Sequence, residues 1–158
     1  MDANVKKQVL RQITYGMYVM TAKDSRKIAA GTVNWLSQAS FAPPLIMAAV
    51  KADSSLKPVV ESTGTFVINV LSASQKQFAE DFFRTAKVED NKIQGHPFKP
   101  GTSGAPVLDD AYAFMECKVT DKVDRGDHTV YVAEVTEVGQ RRQDKPLEMW
   151  DTGWFYGG

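Results

Sequence analysis

Hydrophobic and polar positions change period several times along the chain, and each change predicts an element. Val5, Val9, Leu10 and Ile13 recur at helical spacing after Asn4, a residue suited to an N-cap. They predict a short helix ending near Gly16. Met17–Lys23 reads as a strand, Asp24–Lys27 as a turn and Ile28–Leu36 as a second strand, together a hairpin. Leu45–Lys51 is almost wholly apolar, the pattern of a strand covered on both faces. Ser54 is placed to cap a helix through Leu56, Val59 and Val60, with Pro58 in its first turn, where a missing N–H is tolerated. Phe66–Leu71 is another buried strand. From Ser74 onward, Phe78, Ala79, Phe82 and Phe83 form an amphipathic stripe.

Residues 86–106, broken by glycine and proline, read as a long surface loop. Ala111–Val123 and Thr129–Val138 are long β-rich runs joined by the turn residues Asp124-Arg125-Gly126-Asp127. About six or seven strands and three helices follow, in antiparallel hairpins rather than βαβ units. With no repeat or linker, residues 1–158 read as one domain, mainly β with peripheral helices, in a closed or split barrel.

Composition narrows the function. Lysine plus arginine and aspartate plus glutamate each total 19, so the formal net charge is zero, which argues against nucleic acid as a partner. No apolar run approaches the ~20 residues of a membrane span, and the charged start MDANVKKQVLRQ lacks a secretory core, so the expected compartment is the cytoplasm. One cysteine, Cys117, and two histidines, His96 and His128, leave no cysteine-rich or structural zinc site. Cys117 lies mid-strand and reads as a core residue. Phosphate-loop, dinucleotide-fingerprint, hydrolase-elbow and zincin motifs are all absent.

Three segments carry candidate chemistry. Gly31–Phe41, followed by Ala42-Pro43-Pro44, crowds small and amide side chains at a strand end, a lining of mixed donors and acceptors that a flat heterocycle can approach. A polar strand end would look the same. Lys51-Ala52-Asp53-Ser54-Ser55-Leu56-Lys57 joins a buried strand to a helix start, where backbone N–H groups, hydroxyls and ammonium groups suit a phosphate. An ordinary N-cap with solvated lysines fits equally. Gly126-Asp127-His128 puts a histidine beside a tight turn, at a ligand rim or simply in the turn.

In order and spacing these segments, with Phe66–Leu71, Pro106-Val107-Leu108, Met115-Glu116-Cys117 and Ala133-Glu134-Val135, resemble the flavin reductase-like, FMN-binding split-barrel family over roughly residues 8–157. Ser37-Gln38-Ala39-Ser40-Phe41 and the tail Trp154-Phe155-Tyr156-Gly157 are most similar to flavin reductase modules fused to flavodiiron or rubredoxin-type proteins.

The resemblance implies a homodimer that passes electrons from NAD(P)H through FMN, or FAD, to free flavin, iron or a protein acceptor. It implies that Thr32, Asn34, Trp35, Ser37, Gln38 and Ala39 line the flavin ring and ribityl chain, with Ser40 near the ribityl or phosphate. Lys51, Ser54 and Ser55 would hold the phosphate, helped by Lys57. Phe82 or Phe83 would close the pocket, Trp154 and Tyr156 would cover the ring, and His128 would stand on the nicotinamide side, with no metal. Two other classes remain: an FMN electron carrier that does not oxidise NAD(P)H itself, and a cofactor-free binding or assembly protein on the same barrel. A pyridoxamine-phosphate oxidase-like enzyme shares the barrel, but its ring-strand wording is less similar.

Overall fold

A computed structural model describes all 158 residues. A short helix, α1 (Ala3–Leu10), precedes strands β1 (Tyr18–Lys23), β2 (Ile28–Val33), β3 (Leu36–Ser40) and β4 (Leu45–Lys51). Helix α2 (Leu56–Thr63), strand β5 (Thr65–Val70) and helix α3 (Lys76–Asp81) follow. Four short strands come next: β6 (Val88–Glu89), β7 (Lys92–Ile93), β8 (His96–Pro100) and β9 (Pro106–Leu108). The long strands β10 (Ala113–Asp124) and β11 (His128–Gln140) lead to helix α4 (Met149–Thr152) and the tail.

The seven-stranded sheet runs β2-β1-β5-β10-β11-β4-β3, and a second sheet of four strands runs β6-β7-β8-β9, every pairing antiparallel. β2 and β3 are consecutive in the chain yet form opposite edges of the large sheet, so the sheet curls towards a barrel without closing. This is the expected mainly antiparallel split barrel.

Two hydrophobic cores explain why the strands read as nearly continuous apolar runs. Met20, Ala22 and Ala29 join the first core with Leu56, Val59 and Val60 of α2. Their neighbours Val19 and Ala30 point the other way, into a second core with Phe78, Ala79 and Phe82 around α3. β1 and β2 are therefore covered on both faces, and alternation with polar residues disappears. Helix α2 stops at Gly64, whose φ of 66° lets its N–H turn back to the Val60 carbonyl at 2.8 Å. No helix is long and apolar enough to cross a membrane.

Several expectations need correction. Asp2, not Asn4, caps α1: its carboxylate accepts from the N–H groups of Asn4 and Val5 at 2.9 Å. The helix ends at Leu10, and Val5, Val9, Leu10 and Ile13 are exposed rather than packed. Ile28–Leu36 is not one strand; it breaks at Asn34-Trp35. Residues 86–106 are not a plain loop, because Asp90, Asn91, Gln94 and Gly95 take positive φ and fold the segment into strands too short for any periodicity to mark. The helix with the aromatic stripe is only Lys76–Asp81, with Phe82 at its C-cap and Phe83 exposed. In all there are eleven strands and four helices.

Candidate functional site

A cleft of about 660 Å³ opens where the end of β2, the end of β4, the start of α2, the segment after α3 and the C-terminal tail converge. Thr32, Asn34, Lys51, Ser54, Ser55, Phe82, Phe83, His128, Trp154 and Tyr156 all line it. Thus the polar strand end and the helix start, 20 positions apart in sequence, share one cavity.

At the β2 wall, Thr32 fastens the strand to α3: its hydroxyl donates to the Ala79 carbonyl at 2.6 Å, and its N–H to the Phe82 carbonyl at 3.3 Å. This contact replaces a neighbouring strand at the sheet edge and holds Phe82, whose ring packs against Phe78 in the second core, beside the cleft. Asn34 is 8% exposed, and its side-chain amide makes one hydrogen bond within the protein, its N–H donating to the Met149 sulfur at 3.2 Å. Its carbonyl oxygen therefore has free acceptor capacity at the cavity wall. A Cβ at Gly31 would lie 3.3 Å from the Leu56 side chain, so glycine keeps this wall flat and close.

The opposite end suits an anion. The Ser54 N–H closes a turn onto the Lys51 carbonyl at 3.0 Å, and the Ser54 hydroxyl accepts from the Lys57 N–H at 3.4 Å. Ser55, at the N-cap, makes no side-chain capping bond. The N–H groups of Ser55 and Leu56 have no protein acceptor, as at any helix start, and such groups attract negative charge. Lys51 is paired only with Asp53 at 3.2 Å, and both side chains are more than half exposed, so the pair yields readily to a stronger anion. Arg84 and Thr85 line the cavity as well. Sequence reasoning missed both. The available signal was their position directly after the Phe82-Phe83 end of the stripe.

The tail forms a third wall. Trp154 sits edge-on to Phe83 at 4.9 Å between ring centroids, and its N–H donates to the Thr152 hydroxyl at 3.0 Å. Tyr156 Oη lies 2.8 Å from His128 Nε2, and His128 Nδ1 lies 2.8 Å from Asp127. Burial raises the Tyr156 phenol above its ordinary value. The His128 hydrogen bond holds the Asp127 carboxyl below its own.

Six expected residues lie outside the cavity. Ser37, Gln38, Ala39 and Ser40 belong to β3, at the other edge of the sheet, where the side chains of Ser37 and Gln38 bond only to carbonyls of their own strand. The break at Asn34-Trp35 carries them there. Trp35 stands behind the wall, 4.4 Å from the His128 ring and 5.3 Å from Tyr156, with a buried indole N–H that has no partner. Lys57 points away: its ammonium bonds Asp124 at 2.8 Å and the buried Thr129 hydroxyl at 2.8 Å. Cys117 packs in the first core, where burial pushes its thiol up to about 12.

Comparison with known proteins places the chain. Residues 10–157 match the flavin reductase like domain family. The chain is 29% identical over 137 residues to diflavin flavoprotein A 1 of Synechocystis sp. strain PCC 6803, covering 86% of the chain and 24% of that protein. It thus spans about a quarter of the length of such flavoproteins. Two solved structures are similar along most of their length. The styrene monooxygenase flavin reductase of Pseudomonas putida S12 gives a TM-score of 0.77 at 26% identity, over 96% of this chain and 95% of that one. The NADH:FAD oxidoreductase of Streptomyces globisporus C-1027 gives 0.81 at 26% identity, over 99% and 89%. The chain belongs to the flavin reductase like domain family of oxidoreductases.

Proposed function

We propose that the cleft binds FMN and that the protein is an NAD(P)H-dependent flavin reductase acting as a homodimer. One observation carries this reading. Thr32 and Asn34 at a strand end and Lys51, Ser54 and Ser55 at a helix start line a single cavity of about 660 Å³, within the ~300–1,000 Å³ of typical small-molecule sites. The residues present suit a flavin mononucleotide. Apolar Ala30, Phe82 and Met149 offer a surface for a planar ring, Asn34 offers an amide, and the helix start with Lys51 offers donors and charge for a phosphate. Phe83, Trp154 and Tyr156 enclose the outer side, with His128 towards the nicotinamide.

When bound, the flavin supplies hydride acceptance and onward electron transfer. The protein orients and shields the reacting rings, which needs no nucleophile or metal. A family relative whose name specifies NADH and FAD supports nicotinamide as the donor. Exposed Val5, Val9, Leu10, Ile13 and Phe155 give an apolar surface in keeping with a dimer.

The likeness to a diflavin flavoprotein, of which this chain matches only 24%, favours a second reading, in which the acceptor is another protein domain. One experiment addresses both. The purified protein is titrated with FMN, its visible spectrum recorded, and NADH or NADPH added without oxygen. Binding with bleaching by either nicotinamide supports the reductase. Binding without bleaching leaves an electron carrier. A colourless protein that ignores added FMN refutes the assignment.

A further inference from the structure

Asp127, His128 and Tyr156 form an unbroken line of hydrogen-bonding groups along the rim of the cleft. The Asp127 side chain is 92% exposed and that of His128 11% exposed; His128 and Tyr156, the latter 39% exposed, both line the cavity. The two contacts determine where the protons sit. A carboxylate only accepts, so His128 Nδ1, 2.8 Å from Asp127, carries a proton in every state. In neutral His128, Nε2 is then an acceptor, and Tyr156 spends its single O–H on it at 2.8 Å. When His128 is protonated, Nε2–H donates to Tyr156 Oη, and the tyrosine proton is free to turn into the cleft. The Trp35 ring lies 4.4 Å from the imidazole, tilted by 44°.

We propose that His128 and Tyr156, with the imidazole held by Asp127, are a proton-delivery pair whose outlet into the cleft is Tyr156 Oη. This rests on the reading of the cleft as a flavin and nicotinamide site. NAD(P)H releases a hydride and becomes NAD(P)+, and full reduction of a flavin takes up one further proton. The Tyr156 O–H bond breaks as its proton passes to an acceptor in the cleft. The His128 Nε2–H bond breaks as its proton moves to Tyr156 Oη. Neutral His128, still carrying its Nδ1 proton, is left behind, and a proton from solvent returns to the pair between turnovers. Asp127 is a positioning residue that fixes the tautomer.

The other charged groups facing His128 are few. Lys51 stands opposite it in the β4–β11 pairing, and its charge is taken by Asp53 at 3.2 Å. Tyr156 comes from the tail.

Two measurements test the chain. In the flavin-free protein, 15N NMR of the neutral imidazole should show the proton on Nδ1, and Asp127→Ala should release that preference. A wild-type ring with its proton on Nε2 would overturn the proposal without reference to flavin. In the FMN-loaded protein, anaerobic reduction by NADH is followed from pH 6 to pH 9 in H2O and D2O. Wild type should slow as pH rises and show a solvent isotope effect. Tyr156→Phe, which keeps the aromatic cover, should be slower by about tenfold or more at low pH, without the isotope effect. Its pH profile should be flat. A Tyr156→Phe variant with the wild-type pH profile and isotope effect refutes the relay alone. A holoprotein that NADH does not reduce refutes the reductase reading and removes the relay's reaction with it.

Discussion

Glu116 offers a test of how the second sheet is held to the first. It is 2% exposed, and its carboxylate accepts three hydrogen bonds: from the Thr102 N–H at 2.9 Å, and from the Ser103 N–H and hydroxyl at 3.0 Å. The fit is tight, since a Cβ at Gly101 would fall 2.6 Å from Oε1. Replacing Glu116 by alanine removes all three bonds. Hydrogen bonds to a charged group are worth about 1.5–3 kcal/mol each, but these share one carboxylate, and Thr102 and Ser103 lie at the surface where water can reach their donors. The net loss should be about 2–4 kcal/mol, or about 5–15 °C in Tm for a chain of this length.

Thermal unfolding followed by near-UV circular dichroism reads it directly, with Glu116→Gln expected between wild type and alanine. The pH dependence adds a second check. Burial alone would raise the Glu116 carboxyl, but the Ser103 and Thr102 donors outweigh it and hold it below its ordinary value. Its stabilisation is therefore fully present above the unfolded carboxyl value of about 4.3 and is lost as pH falls through the lower folded value. The gap between wild type and Glu116→Ala should stay constant at neutral pH and narrow only in acid. Equal Tm values at pH 7, or a gap that widens on acidification, would refute the reasoning.

Three further outcomes separate the roles of neighbouring groups. Lys51→Glu puts like charge beside the proposed phosphate site and should weaken FMN binding by about tenfold or more in equilibrium titration; an unchanged affinity counts against the placement. Lys57→Ala should instead lower the Tm and leave FMN affinity alone, because its ammonium is committed to Asp124 and Thr129. Cys117, buried with its thiol pushed up to about 12, should resist a thiol reagent at pH 8 until denaturant is added; rapid labelling of the folded protein would contradict its place in the core.

Much of the architecture was legible because burial on both faces leaves a plain mark. Leu45–Lys51 is a strand with the expected ends, and the Tyr18–Val33 hairpin and the helix through Leu56, Val59 and Val60 stand where apolar spacing puts them. Features set by single side-chain bonds were not legible. Asn4 and Asp2 are both fair caps, and only the geometry shows Asp2 accepting from two N–H groups. Lys57 looked like a phosphate ligand beside Ser54. A carboxylate 67 positions away in the β10–β11 turn claims it, and nothing local in the sequence announces that partner. The strands within 86–106 are two to five residues long, shorter than a period-two pattern needs to declare itself.

The largest misreading, a single strand through Ile28–Leu36, has a physical cause that also accounts for the cleft. Val33 and Leu36 are both partly or wholly covered, so hydrophobicity runs on without a gap between β2 and β3. Yet the two strands occupy opposite edges of the seven-stranded sheet, and only Asn34 and Trp35 connect them. A connection this short is possible only if the sheet curls until its edges nearly meet. β2 does not pair with β3. Thr32 donates its N–H to the Phe82 carbonyl at the end of α3 instead of to a neighbouring strand, and the Ala49 N–H donates to the Trp35 carbonyl at 2.8 Å. The seam left open beside Asn34 is the cavity wall. Joining the edges by ordinary strand pairing would fill the place where a flat ring has room. The split in the barrel and the candidate binding site are therefore one structural event, and the polar residues Thr32 and Asn34 are found on the side of the break that faces it.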